Sequence, residues 1–296
     1  MTTTVTVTGS GTPIPSATRA GPGVLVRHEA SRDSGSATDA GAATALQIDV
    51  GRATVPRLAA CDLWPTDLDA VFVTHHHSDH LTGLTDLVLT RWVMDRGRGL
   101  GPLPVVVPDG PAVALAEHLL DPWADDIEVR ARHAGRRDRP GVDLRVFEPP
   151  ATPSEVWRRG AVTVRAGVVH HEPVQPAVGY RVETPDGVVA VSGDTVVCEE
   201  VAALAAGADV LVHEALRFPL IEALPPARRF ILDYHADTRL LGAQARDLDV
   251  PTLVLTHLIP EPLSAADRQG FVDDIRAAGY RGRVVVADDL TSVTLG

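Results

Sequence analysis

The chain has 296 residues, 45% hydrophobic and 22% charged, which excludes a disordered polymer and leaves ample length for a buried core. Its 27 basic residues, all arginine, face 39 acidic ones, and the net charge of -12 opposes long-range attraction to nucleic acid; the absence of lysine and asparagine reads as coding bias of a GC-rich genome. Two cysteines exclude a disulfide scaffold or a four-cysteine zinc site, and with no apolar span and no leader in MTTTVTVTGSG the expected location is cytoplasmic, away from any membrane.

Val5-Thr6-Val7 and Val24-Leu25-Val26 read as strands around a turn-rich stretch from Gly9 to Pro22. From Glu29 to Thr44, Ser, Ala, Gly and Asp prevail without large apolar residues, which predicts a surface loop. Alternation returns in Leu46 to Val50. Val71-Phe72-Val73 is a short buried strand running directly into His75-His76-His77-Ser78-Asp79-His80. Helical spacing of leucine and valine over Gly83 to Met94 sets that cluster between a strand end and a helix start. Strand Val105 to Val107 and helix Pro111 to Leu120 repeat the unit. Arg130, Arg132, Arg136, Arg137, Arg139 and Arg145 follow, broken by Gly135, Asp138, Pro140 and Gly141 and without an aromatic residue to stack a base, so a solvated loop is expected there. Strands are predicted near Leu144–Phe147, Val162–Val169, Gly179–Val182, Val188–Val191, Val210–Val212, Thr252–Leu255, Val284 and Val293, and helices over Glu199–Ala206, Thr238–Leu248 and Ala265–Ala278. No Pro/Gly linker divides the chain, so residues 1–296 are expected to form one α/β domain of sheets covered by helices.

Residues 75 to 80 hold four histidines and one carboxylate at the carboxyl end of an apolar strand, a dense supply of metal ligands. Imidazole and carboxylate suit zinc first, with manganese or iron as alternatives. In extended backbone His75 and His77 point the same way, which leaves Asp79 and His80 to swing toward a second point.

His75-x-His77-x-Asp79-His80 resembles the HxHxDH motif of the metallo-β-lactamase superfamily. Gly11-Thr12-Pro13-Ile14-Pro15 and Arg19 to Pro22 resemble the start of its branch of ribonuclease Z, arylsulfatase-like and phosphodiesterase-like hydrolases. Similar to that branch, in order, are also Asp67 to Thr74, His171 to Tyr180, Ser192-Gly193-Asp194-Thr195, His213-Glu214-Ala215 (with Leu216 where the family has Thr), Tyr234 to Thr238 and Leu255-Thr256-His257. The resemblance implies an αββα sandwich, two mixed sheets covered by helices, with a metal site along one edge. It implies that His75, His77 and His171 hold one ion, that Asp79, His80 and His257 hold the other, and that Asp194 bridges two zinc ions. Each of these residues follows an apolar strand or opens a turn. His170 is the alternative to His171, which is preferred for its spacing to Pro173, Pro176 and Gly179-Tyr180. Two ions sharing a hydroxide would bring the pKa of its parent water to ~7 and polarise the substrate.

By the same resemblance His235 is the candidate to contact the phosphoryl or sulfuryl oxygen or assist the leaving group, while Asp79 has proton transfer as a second role. His213 and Glu214 are expected to hydrogen-bond behind the ligands, and His76 to lie behind them or in solvent. His28, His118 and His133 read as surface residues without a role, and Cys198 has no evident partner.

Ribonuclease Z uses a long arm between the third histidine motif and the aspartate of its GDT motif. Here that interval, from His171 to Asp194, holds only a strand pair turning at Pro185-Asp186-Gly187. The short interval and the negative charge make a small phosphodiester or sulfate ester the expected substrate and argue against nucleic acid without excluding it. Lactone or carboxylic ester hydrolysis is the runner-up. A protein that binds metal or a small molecule without turnover is the alternative of a different class. Homodimer formation is left open.

Overall fold

Among residues 2–29 and 43–296, which the computed structural model describes, valine-rich runs pair into two seven-stranded sheets. With strands numbered in chain order, one sheet contains β1 (Thr2–Gly9), β2 (Gly23–Glu29), β3 (Thr44–Ile48), β4 (Ala70–Phe72), β5 (Leu103–Pro108), β6 (Val142–Phe147) and β14 (Thr291–Leu295). Their order across the sheet is β14-β1-β2-β3-β4-β5-β6. The second is built from β7 (Ser154–Arg159), β8 (Val162–Val168), β9 (Val178–Thr184), β10 (Gly187–Val191), β11 (Val210–Leu216), β12 (Thr252–Ile259) and β13 (Arg283–Val286). It runs β13-β12-β11-β10-β9-β8-β7. Both sheets are mixed.

The inner faces meet in one apolar layer. Val5, Val24, Leu46 and Phe72 of the first sheet face Val164, Tyr180, Val189, Val212 and Val254 of the second. The outer face of the first sheet is covered by α1 (Thr54–Ala60), α2 (Ser78–Leu81), α3 (Leu84–Asp95), α4 (Pro111–Glu117) and, at its margin, α5 (Ala124–Ala134). That of the second is covered by α6 (Glu199–Ala205), α8 (Thr238–Asp247) and α9 (Ala265–Ala277), while the short α7 (Phe218–Glu222) follows β11. The result is an αββα sandwich. No helix among the described residues is long and apolar enough to cross a membrane.

Strand direction positions the chemistry. In the second sheet β10, β11 and β12 are mutually parallel, and β9 is antiparallel to both β8 and β10, so β8 shares their direction. In the first sheet β3, β4 and β5 are parallel. The carboxyl ends of these strands open onto one rim, where α/β folds collect their functional loops.

Several expectations need amending. Residues 30–42 of the predicted loop lie outside the described residues, while Glu29 closes β2 and Thr44 opens β3. The arginine stretch is not one loop: Arg130 and Arg132 stand on α5, and Arg145 on β6. Ion pairs one turn apart, Arg130 to Asp126 at 2.8 Å and Arg132 to Glu128 at 3.6 Å, run along that helix until Gly135 ends it. His28 is buried, because it alternates onto the inner face with Val24 and Val26 and there meets Thr3 Oγ1 at 3.0 Å and Asp186 Oδ2 at 3.1 Å.

Candidate metal centre

The hexapeptide changes conformation in its middle, and this aims its ligands at two points. After β4 the chain runs without regular structure to His77, which is extended and takes the N-cap position of α2; Asp79 and His80 then sit on that single helical turn. Opposite, β10 ends at Val191 and turns through Gly193 at φ 66°, where a Cβ would press on Val178 O at 2.9 Å, so that Asp194 enters the cluster. His257 is the extra residue of a bulge in β12 against β11 and holds φ 45°, a left-handed conformation costly for a side chain with a Cβ. His171 follows β8.

Asp194 Oδ2 lies centrally among these groups. It is 3.3 Å from His80 Nε2, 3.4 Å from His257 Nε2, 3.9 Å from His171 Nε2 and 4.0 Å from His75 Nε2. His77 Nδ1 is 3.2 Å from His171 Nε2, and Asp79 Oδ2 is 3.5 Å from His257 Nε2 and 3.6 Å from His80 Nε2. Two sets with metal-ligand spacing result: His75, His77, His171 with Asp194, and Asp79, His80, His257. Asp194 also groups with His235 and His257.

Burial, reinforced by the charge of His80, holds His75 well below the ordinary imidazole range. Burial likewise lowers His77 and His171. Neutral imidazoles offer a lone pair, the form that binds metal. Burial alone would raise the Asp194 carboxyl, but the charges of His257 and His80 outweigh it and hold the group well below the carboxylate range. Conversely, burial disfavours charged His80, yet Asp194 and Asp49 raise it well above the usual histidine value.

A metal fits these residues on structural grounds. His75 Nε2, Asp79 Oδ2, His80 Nε2 and both ring nitrogens of His257 are buried with no hydrogen-bond partner. Each such atom costs about 1–3 kcal/mol when nothing pairs with it, so the four that face the cluster, His75 Nε2, Asp79 Oδ2, His80 Nε2 and His257 Nε2, call for cations there.

The far sides of the rings are tied down. His80 Nδ1 donates to Asp49 Oδ2 at 2.7 Å, and His75 Nδ1 donates at 2.9 Å to Thr74 Oγ1, whose hydroxyl donates to the same Asp49 oxygen at 2.8 Å. His171 Nδ1 donates to the Tyr234 carbonyl at 2.9 Å. These bonds leave Nε2 of each ring facing the cluster. Asp49, Thr74 and Tyr234 escaped the sequence reading; the one cue was an aspartate closing a strand just before Gly51. Glu214 Oε1 accepts from His235 Nδ1 at 2.8 Å and from the backbone N–H of Thr195 and Ala236, each at 3.2 Å. Burial pulls His235 down, but Glu214 outweighs it and raises the pKa of the ring. His213 is buried, with Nδ1 donating to the Glu214 carbonyl at 2.7 Å.

Other histidines fall outside. His170 turns away from the cluster to Glu200, 3.1 Å from Nε2, while His171 faces inward. His76 is half-buried beside His77, and His118 and His133 are exposed. Cys198 does have neighbours, His170 and Glu200, brought close by the turn after Asp194.

Two such sheets with an HxHxDH loop at a shared rim have the architecture of the metallo-β-lactamase fold. The metallo-β-lactamase fold protein YhfI of Bacillus subtilis matches over 99% of this chain and 100% of its own, with TM-score 0.69 and 18% identity. The short form of human tRNase Z matches over 99% of both chains, with TM-score 0.64 and 21% identity; at these identities both show the fold alone. The family described as Beta-lactamase superfamily domain matches residues 38–258. Ribonuclease Z of Mycobacterium bovis (strain BCG / Pasteur 1173P2) is 35% identical, over 98% of this chain and 97% of its own. The chain therefore belongs to the metallo-β-lactamase superfamily, in its ribonuclease Z-like branch, and is a metallo-hydrolase acting on ester bonds.

Proposed function

We propose that the chain, as one domain of residues 1–296 in the cytoplasm, cleaves phosphodiester bonds of RNA at a dinuclear zinc centre. His75, His77 and His171 would hold one ion, Asp79, His80 and His257 the other, with Asp194 shared. Two ions bound there supply a nucleophilic water near neutral pH and stabilise charge on the phosphoryl oxygens. With Nδ1 committed to Glu214, His235 presents Nε2 toward the cluster, where a proton on that nitrogen can pass to the departing oxygen as its bond to phosphorus breaks. Glu214 orients the ring and favours its protonated form. Asp79, the carboxylate beside His80 and His257, has proton transfer as its second role.

The observation carrying this reading is the end-to-end similarity to a ribonuclease Z. The short β9–β10 hairpin, with only Pro185 and Asp186 between paired residues, counts in the sequence against transfer RNA without excluding it. It loses that weight, because the Mycobacterium relative aligns through 97% of its length and has no room for a long arm either. A precursor transfer RNA with a 3′ trailer is accordingly the first substrate to test. The net charge of -12 supports the second reading, a small phosphodiester or sulfate ester.

The test compares zinc-loaded protein on that precursor with a nitrophenyl phosphodiester, sulfate and carboxylic ester. Cleavage at the trailer, falling steeply between about 50 and 200 mM salt as phosphate contacts are screened, is the expected result. Turnover of the small esters without RNA cleavage would overturn the RNA assignment. A metal-loaded protein inert on all of them would favour binding without catalysis.

A further inference from the structure

Beside the cluster of His75 to His257 lies a second set of donors of different chemistry. Cys198, His170 and Glu200 offer a sulfur, an imidazole nitrogen and a carboxylate oxygen, all within 4.8 Å of one another. All three residues are half-buried, so an ion from solvent can reach them. The segments carrying them are already clamped together. The backbone N–H of His170 donates to Thr195 Oγ1 at 3.0 Å, and the N–H of Val196 donates to the His170 carbonyl at 3.0 Å. His170 Nε2 lies 3.1 Å from Glu200 Oε2, and Cys198 Sγ lies 3.7 Å from Thr195 Oγ1.

We propose that Cys198, His170 and Glu200 form a third metal site, distinct from the dinuclear centre and selective for a zinc-like divalent ion. A mixed nitrogen, sulfur and oxygen set suits zinc, and three protein ligands leave one position for water. Thiolate disfavours magnesium and calcium, which prefer oxygen. An ion held there cross-links the segment that carries His171 to the turn that carries Asp194. Its role is to position those two residues, not to contact substrate.

Cobalt(II) is the probe, because the dinuclear set contains no sulfur. Titrating the metal-free full chain should give close to three bound ions, and the last to bind should bring a thiolate-to-cobalt charge-transfer band in the near ultraviolet. Cys198→Ser should abolish the band and lower the count by one, and Glu200→Gln should weaken the third ion by about tenfold or more. Cys61→Ser should leave both readings unchanged, since Cys61 closes α1 on the other sheet. His77→Ala should weaken the dinuclear centre while keeping the thiolate band, so the two assignments fail separately. Absence of the band, its persistence in Cys198→Ser, or a count that stays at two in the wild type would overturn the proposal.

Discussion

Asp49 touches no ligand atom that faces the cluster, yet it decides where two of the rings point. Buried at the end of β3 with φ 55°, it accepts from His80 directly and from His75 through the Thr74 hydroxyl. Asp49→Ala should therefore weaken metal binding by about 10–100-fold without removing a ligand, measured by competition against a chelator. An unchanged affinity would make the bond decorative. His235 gives the opposite expectation. His235→Ala should keep both metals and lose about a hundredfold or more in kcat/KM, with a smaller loss on nitrophenyl esters, whose leaving group needs little help. Metal content measured on the same samples separates the two effects. The residues that gather here stood out in the sequence because strand ends deliver them in dense, spaced groups. Asp49 did not, because its partners stand 25 and 31 positions away and only the pairing of β3 with β4 brings them together.

Elements with strong alternation or long apolar runs were legible, and those whose signal is interrupted were not. β7 was missed because a bulge between Glu155 and Trp157 breaks its alternation and half of its side chains are exposed. α5 was missed because it buries only Ile127 and Ala131, too few for an apolar stripe. The close seating of the His75–His80 loop was equally hidden. Val50 N–H donates to the His80 carbonyl at 2.8 Å and Gly83 N–H to the Val50 carbonyl at 2.9 Å, so the end of β3 cradles α2. A Cβ on Gly51 would press on the Asp79 carbonyl at 2.5 Å and on the backbone of Gly21. Gly51→Ala should thus cost about 1–3 kcal/mol, a fall in Tm of several degrees, and lower metal retention with it. Gly141→Ala, where a Cβ meets nothing nearer than 3.9 Å, should leave both unchanged.

At the scale of the molecule, the cluster joins the two sheets: His75, His77, Asp79 and His80 come from one, and His171, Asp194 and His257 from the other. Metal binding should therefore stabilise the whole sandwich. Stripping the ions with a chelator is expected to lower Tm by several degrees, and adding zinc back should restore it, because only the folded chain assembles both sets. A Tm indifferent to chelation would mean that the sheets hold together without the site.

The pairing of β1 with β14 governs the order in which the polypeptide folds. β1 lies between β2 and β14, with Val5 opposite Val293, so neighbours in the finished sheet come from nearly opposite ends of the sequence. During synthesis the outer edge of β1 has to wait for β14, exposing an unpaired row of backbone donors and acceptors until that strand leaves the ribosome. Such late closure of a long loop makes for slow acquisition of the native state. The half-synthesised chain is thus most prone to aggregation along β1, although in the completed sandwich that strand has a partner on each side.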